Sequence, residues 1–157
     1  MTFWLIWGRM PVFIRSLMIF VFLESMAVTA PFAQECAIMT TGLNWGIYDQ
    51  LQNLPTYGEG SLRVTCDRDF PYAILLDAGQ HSGGSFSPRK MQNGGRTLEY
   101  YLFTDGAQTK PWGDGKGGSY VQAGAGSGTY PIFGVIPPRQ NVPVGSYADA
   151  VIITVQW

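Results

Sequence analysis

The sequence predicts an all-β sandwich of short strands, on three observations. Val, Ile, Thr, Tyr and Phe gather in short runs that alternate with a two-residue period. The runs are broken every 8 to 12 residues or so by Gly, Pro, Asn and Asp, the punctuation of a sandwich or barrel. No window of about eleven residues outside the N-terminal segment carries the 3.6-residue apolar period of a helix. At 157 residues the chain suits one domain with a real core and is short for two.

In order, Ala37–Thr40 is expected to be the first strand, and Leu43–Tyr48 to be extended but irregular. Leu51–Glu59, with Pro55 and Gly58, reads as a connection. Gly60–Asp67 alternates Leu62, Val64 and Cys66 against Arg63 and Thr65, a half-buried strand. After a polar turn at Asp67–Asp69, Phe70–Asp77 is expected to pair back on it as a hairpin. Ala78–Ser87 is a Gly- and Ser-rich loop. Arg89–Met91 and Arg96–Thr104 flank Asn93-Gly94-Gly95, and Asn-Gly between β-type runs is the strongest local hairpin signal in the chain. Asp105–Gly118 is turn chemistry, Ala123–Gly128 is glycine-rich, and Tyr130–Ile136 is a strand leading to the Pro137-Pro138 connection.

The final stretch poses the functional question. Val151, Ile153, Val155 and Trp157 recur at two-residue spacing on a last apolar strand, although Ile152 breaks the alternation and leaves open which face is covered. An apolar strand at a sheet edge exposes a row of unpaired N–H and C=O groups, which natural proteins avoid unless another chain uses them.

The first 33 residues are expected to be a signal peptide, with residues 34–157 as the domain. Arg9 and Arg15 precede the apolar run Leu17–Leu23, and the small residues Ala27, Thr29, Ala30 and Ala33 follow. Glu24 interrupts the run, so a cleaved leader fits better than a spanning helix of about 20 apolar residues. Cleavage is placed near Ala33, because Pro31 would follow a cut at Ala30. Met10 is an alternative start, and Glu35 before Cys36 argues against lipid attachment there. The exported part holds two cysteines, Cys36 and Cys66, an even count that argues for one disulfide in an oxidising compartment, the alternative being two buried thiols.

Composition and motifs exclude more chemistry than they support. A net charge of −1 with 13% charged residues lacks the clustered basic face of a nucleic-acid partner. His81, the only histidine, lies in a loop, and no serine sits in a G-x-S-x-G elbow. One histidine cannot build a usual zinc site. Gly113–Gly118 matches G-x-G-x-x-G by letter but has glycine loop on both sides, where phosphate binding needs a strand before and a helix after. Asp105 and Asp114 lack the twelve-residue calcium-loop pattern. No enzyme activity and no cofactor are expected. Many aromatics, among them Tyr57, Tyr101 and Trp112, keep a second reading open: a self-sufficient secreted sandwich that binds a ligand such as a glycan through aromatic loops.

From Cys36 to Trp157 the chain resembles the spore coat protein U domain family, which includes the pilins of archaic, Csu-type chaperone-usher pili. The resemblance rests on the early cysteine, Leu43-Asn44-Trp45-Gly46-Ile47-Tyr48-Asp49, Val64-Thr65-Cys66, Leu76-Asp77-Ala78-Gly79, Arg89 with Met91, and Leu98–Asp105. It continues through Trp112-Gly113, Tyr130–Ile136 and Gly145-Ser146-Tyr147-Ala148-Asp149. It implies an immunoglobulin-like β-sandwich that is incomplete, lacking its last strand, exported to the periplasm and then to the cell surface as part of a pilus for adhesion or biofilm formation. It implies as partners a periplasmic chaperone that first lends a strand, an outer-membrane usher, and other pilin subunits that replace the lent strand. The groove for that strand is expected beside Val151, Ile152, Ile153, Val155 and Trp157 on one wall and Ala37, Ile38 and Met39 on the other. Gly145–Asp149 resembles the tyrosine corner that opens the sixth strand of such sandwiches. A cut near Ala33 leaves only Gln34 and Glu35 ahead of Cys36, so the subunit is expected to accept a strand but hardly to donate one, as at the tip of a fibre.

Overall fold

A computed structural model describes residues 36–157, so the expected signal peptide lies outside the described residues. The described residues are all β, with no helix. Eight strands follow one another: β1 (Cys36–Thr40), β2 (Thr56–Cys66), β3 (Pro71–Leu76), β4 (Arg89–Asn93), β5 (Arg96–Phe103), β6 (Gln122–Ala125), β7 (Gly128–Ile136) and β8 (Ile153–Gln156). They form a five-stranded sheet of order β1-β2-β7-β5-β4 and a three-stranded sheet of order β6-β3-β8, with every ladder antiparallel.

The two-residue alternation of the strands builds the core between the sheets. β2 turns Leu62 and Val64 inward, β5 Leu98, Tyr100 and Leu102, and β7 Ile132 and Ile136; β3 answers from the opposite sheet with Tyr72, Ile74 and Leu76. Trp112 is fully buried, and its Nε1 donates to the Ile74 carbonyl at 3.0 Å. A disulfide joins Cys36 to Cys66, which face each other at the end of the β1–β2 ladder.

The Asn93-Gly94-Gly95 hairpin forms as its turn chemistry requires: Asn93 pairs with Arg96, leaving Gly94 and Gly95 as the two-residue loop. The expected hairpin between the strands flanking Asp67–Asp69 does not form. That turn carries the chain from one sheet to the other, so β2 pairs with β1 and β7 while β3 pairs with β6 and β8. Two expected connections are also strand. β2 begins at Thr56, inside the stretch read as a connection, and the glycine-rich stretch supplies β6. Trp45 needs the missing side chain at Gly58, where a Cβ would lie 2.8 Å from its ring.

Candidate functional site

The three-stranded sheet does not cover the five-stranded one completely. After β1 the chain leaves the sheet edge and crosses its inner face as an irregular segment, residues 41–49. Leu43 and Trp45 lie there over Gly60, Gly58 and Gly134, the last two being cross-strand partners in β2 and β7. The ends of the segment are fixed. The Thr41 amide donates to the Ser61 carbonyl at 3.0 Å; the Tyr48 hydroxyl donates to the Pro137 carbonyl at 3.0 Å and accepts from the Gln140 amide at 2.8 Å. Gly42 and Gly46, at φ of 66° and 67°, provide the left-handed turns that let the backbone dip between those anchors.

The opposite wall is the stretch that enters β8. It begins with a tyrosine corner: the Tyr147 hydroxyl donates to the carbonyl of Pro143, four residues upstream, at 3.0 Å. Ala148 is bridged to Gln92 of β4, its amide and carbonyl bonded to the carbonyl and amide of Gln92 at 3.2 and 2.9 Å. The Asp149 carboxylate accepts from the Tyr100 hydroxyl at 2.6 Å and from the Gln80 amide at 2.9 Å. Burial, together with the hydrogen bond to Asp149 and its negative charge, pushes the Tyr100 phenol well above its ordinary value. Ile152 is held to Asp77 through its amide, at 2.9 Å to the carboxylate, and its carbonyl, at 3.0 Å to the amide.

Behind this wall Arg89 is fully buried, yet it meets no carboxylate directly. Its guanidinium donates twice to the Asp77 carbonyl, at 3.1 and 2.7 Å, and once each to the carbonyls of Phe86 and Trp112, at 3.2 and 2.7 Å. Desolvation lowers its pKa, and the charges of nearby groups including Asp77 and Asp149 act against that. The fork thereby locks the 77–89 loop under the start of β8.

Between the two walls runs an open groove whose floor is the sandwich core. One part, of about 320 Å³, is walled by Thr40, Gly42 and Leu43 on one side and by Ala148, Asp149, Val151 and Ile153 on the other. Leu76, Met91, Tyr100, Leu102 and Ile132 form its floor. A wider part, of about 1000 Å³, continues between Ile47 and Leu51 on one side and Val142 and Val144 on the other, over Leu98 and Ile136. The rim residues Ile47, Leu51 and Val144 are almost wholly exposed, at 94%, 79% and 101%.

Among the described residues β8 has a hydrogen-bonded neighbour on one side only, β3. Because Ile152 directs both of its backbone groups to Asp77, the alternation of an antiparallel ladder turns those of Ile153 and Val155 away from β3. Apolar cover and open backbone edge therefore coincide on Ile153 and Val155.

The structure divides the expected groove residues. Val151 and Ile153 line the groove, and Val155 packs half-buried against the core beside them. Ile152, 66% exposed, points outward, so the odd-numbered residues form the covered face. Trp157 is 59% exposed, with its ring edge-on to Phe70 at 5.9 Å. Ala37, Ile38 and Met39 lie exposed on the edge strand β1, and this wall of the groove is lined by Thr40 at the end of β1 and by residues 42–51 after it. Sequence reasoning passed over Leu43 and Trp45 because a segment with glycines at 42 and 46 lacks a strand signature, although its two apolar residues stand two apart.

The other motifs resolve as turn chemistry. Asp105 accepts from the Thr109 amide and hydroxyl and from the Lys110 amide, and these bonds, the Thr109 hydroxyl's foremost, lower its pKa. No helix follows Gly113–Gly118; Ser119 closes that turn by donating its hydroxyl to the Lys116 carbonyl at 2.7 Å.

The comparisons agree with this architecture. A protein from Myxococcus xanthus described as Protein U is 32% identical over 127 residues, covering 73% of this chain and 71% of its own length. A chain of the chaperone–tip adhesion subunit pre-assembly complex from the archaic chaperone-usher Csu pili of Acinetobacter baumannii superposes with a TM-score of 0.59 at 21% identity. That match covers 80% of this chain and 40% of the other, and it shows a shared sandwich fold of the immunoglobulin-like type. The model of the Spore Coat Protein U domain matches residues 23–154, most of the sequence, and the chain belongs to that family.

Proposed function

We propose that this protein is an exported structural subunit of a chaperone-usher type pilus, and that its groove receives an extended strand from a partner polypeptide. The observation that carries this reading is the coincidence at β8 of a one-sided ladder with a gap that bares the core between residues 40–51 and 142–153. A guest strand would bond to the free backbone groups of Ile153 and Val155 and lay alternate apolar side chains on Leu76, Leu102 and Ile132. Four such side chains at about 1.5 to 3 kcal/mol each would hold subunits together before ordering costs are deducted. The guest is first a strand of a periplasmic chaperone and then, through an outer-membrane usher, a segment of another subunit. The likeness to a chain of a solved chaperone–subunit pre-assembly complex supports a chaperone and a pilin subunit as partners.

The place in the fibre depends on where the exported chain begins. Cleavage near Ala33 leaves a subunit that accepts without donating, a terminal one. The family match reaches back to residue 23, and a chain that keeps residues 23–35 would carry an extension long enough to donate. The mass of the exported protein separates the two: a start at Gln34 supports the terminal position, and a start at or before residue 23 overturns it.

Strand acceptance is tested on the purified exported protein with an eleven-residue peptide of alternating valine and Thr or Ser. The peptide is expected to raise the thermal midpoint and to protect the amides of Ile153 and Val155 from hydrogen exchange. A monomer in which those amides are already protected, and whose midpoint the peptide leaves unmoved, would overturn the reading.

A further inference from the structure

The outer face of the five-stranded sheet, turned away from the groove, carries an aromatic line of its own. Gly58 and Gly134 lie under Trp45 on the inner face, so the alternation of β2 and β7 turns Tyr57 and Val135 outward. Tyr100 reaches inward to Asp149 and Trp45, so its neighbour Tyr101 also faces outward. The registers set Val135 opposite Tyr57 on one side and opposite Tyr101 on the other, in one line across three strands. The next line along holds Glu59, Phe133 and Phe103. On the other flank Glu99, two residues before Tyr101, meets Lys90 at 3.9 Å.

Tyr57 is 58% exposed and Tyr101 half-buried, while Val135 between them is 9% exposed. The Tyr101 ring is stacked with that of Phe103, centroids 6.2 Å apart and planes at 10°, which supports its pose. Two strand spacings, about 9.6 Å in all, separate the backbones of the two tyrosines. That is close to the disaccharide repeat of an extended β-linked polysaccharide, in which every second unit presents the same face. Apolar sugar faces stack on aromatic rings, and carboxylates accept hydrogen bonds from sugar hydroxyls. A second copy of the chain fits less well, because the two tyrosines leave roughly 200 Å² or less open, against about 800 Å² per partner in a stable interface.

We propose that Tyr57 and Tyr101 form a binding platform for an uncharged, β-linked polysaccharide laid across β2, β7 and β5. The two rings stack on alternate sugar units, the unit between them lies over Val135, and Glu59 and Glu99 accept from hydroxyls at opposite edges of the chain. Within one line of the tyrosines the strands carry two carboxylates and one ammonium, Glu59, Glu99 and Lys90, so a polyuronate is disfavoured where a neutral chain is not. A strand seated in the groove lies on the other side of the sheet and leaves the platform open. The platform therefore stands or falls independently of strand acceptance.

The test titrates the purified exported protein with fragments of cellulose and of chitin, from the disaccharide to the hexasaccharide. A disaccharide stacks on one ring and a trisaccharide reaches both, so affinity is expected to rise roughly tenfold or more between them. Tyr57→Ala, at an exposed position, should keep the native thermal midpoint and lose that step. Tyr101→Ala should lose it too, and Tyr57→Ala decides should that variant fail to fold. The α-linked maltohexaose and a polygalacturonate fragment of equal length should bind roughly tenfold more weakly or worse. The platform is overturned if no cellulose or chitin fragment binds, if Tyr57→Ala binds them as the native protein does, or if the polygalacturonate fragment binds more tightly. A native dimer that Tyr57→Ala dissociates overturns it as well, since a second copy would then cover the face. None of these outcomes bears on strand acceptance, which the alternating valine peptide reports by itself.

Discussion

The Tyr100 hydroxyl donates to Asp149 at 2.6 Å and so ties β5, an inner strand of one sheet, to the segment that leads into the edge strand of the other. The phenol is buried, and its pKa is raised by that burial first and by Asp149 next. Tyr72, only 4% exposed and hydrogen-bonded to the Tyr130 hydroxyl at 2.8 Å, is pushed up to about 12, chiefly by burial. Both groups have folded values above the unfolded value of about 10. Their contribution is therefore complete below pH 10 or so and is lost as pH climbs through the folded values. Urea midpoints measured toward pH 12 are expected to fall, and Tyr100→Phe to make the fall shallower. At neutral pH the same substitution removes a hydrogen bond to a charged group and should cost about 1.5 to 3 kcal/mol.

Arg89 offers a sharper case, because its four hydrogen bonds all end on main-chain carbonyls. Arg89→Lys keeps the charge but cannot reproduce the fork, and it should lower stability by about 2 to 4 kcal/mol in chemical denaturation. Were the charge alone important, lysine would be tolerated.

Gly134→Ala is expected to dislodge Trp45 from its slot, since the added methyl would occupy the position of the ring. The cost should be about 1 to 3 kcal/mol, as for other overpacked cores. The tryptophan emission should shift to the red as the indole gains water. An unshifted spectrum would mean that the ring is accommodated elsewhere.

The Cys36–Cys66 disulfide spans 30 residues of sequence. By the chain-entropy relation, which is one account of disulfide stabilisation, a loop of that length is worth about 3.5 kcal/mol. The double variant Cys36→Ser, Cys66→Ser should show a denaturant midpoint lowered to match, and a midpoint within error of the native protein would contradict the entropic account.

Legibility in the sequence followed the range of the interaction. The β4–β5 hairpin was readable because Asn93-Gly94-Gly95 encodes its turn locally, and the cysteine count pointed to the disulfide. The partner of β3 was not readable, because the alternation in Gly60–Asp67 and Phe70–Asp77 shows that each is half-buried and says nothing of which sheet each joins. Glycines misled twice for one reason. Gly58 and Gly124 lie inside strands where an aromatic ring takes the place of a side chain, Trp45 over the first and Tyr72 with Tyr130 over the second. At the groove, Val151 and Ile153 announced themselves by period. The wall at 42–48 did not, because the ends of that segment are held by Ser61, Pro137 and Gln140 and its backbone forms no ladder.

The position of the disulfide at the outermost pair of the β1–β2 ladder bears on how the domain responds to pulling. Tension arriving through the chain ahead of Cys36 would, without it, peel β1 away one hydrogen-bonded pair at a time, starting at that pair. The sulfur bridge passes the load straight to the end of β2, which is paired along most of its length to β7 in the centre of the sheet. β1, exposed on every residue after Cys36, is thereby taken out of the line of force.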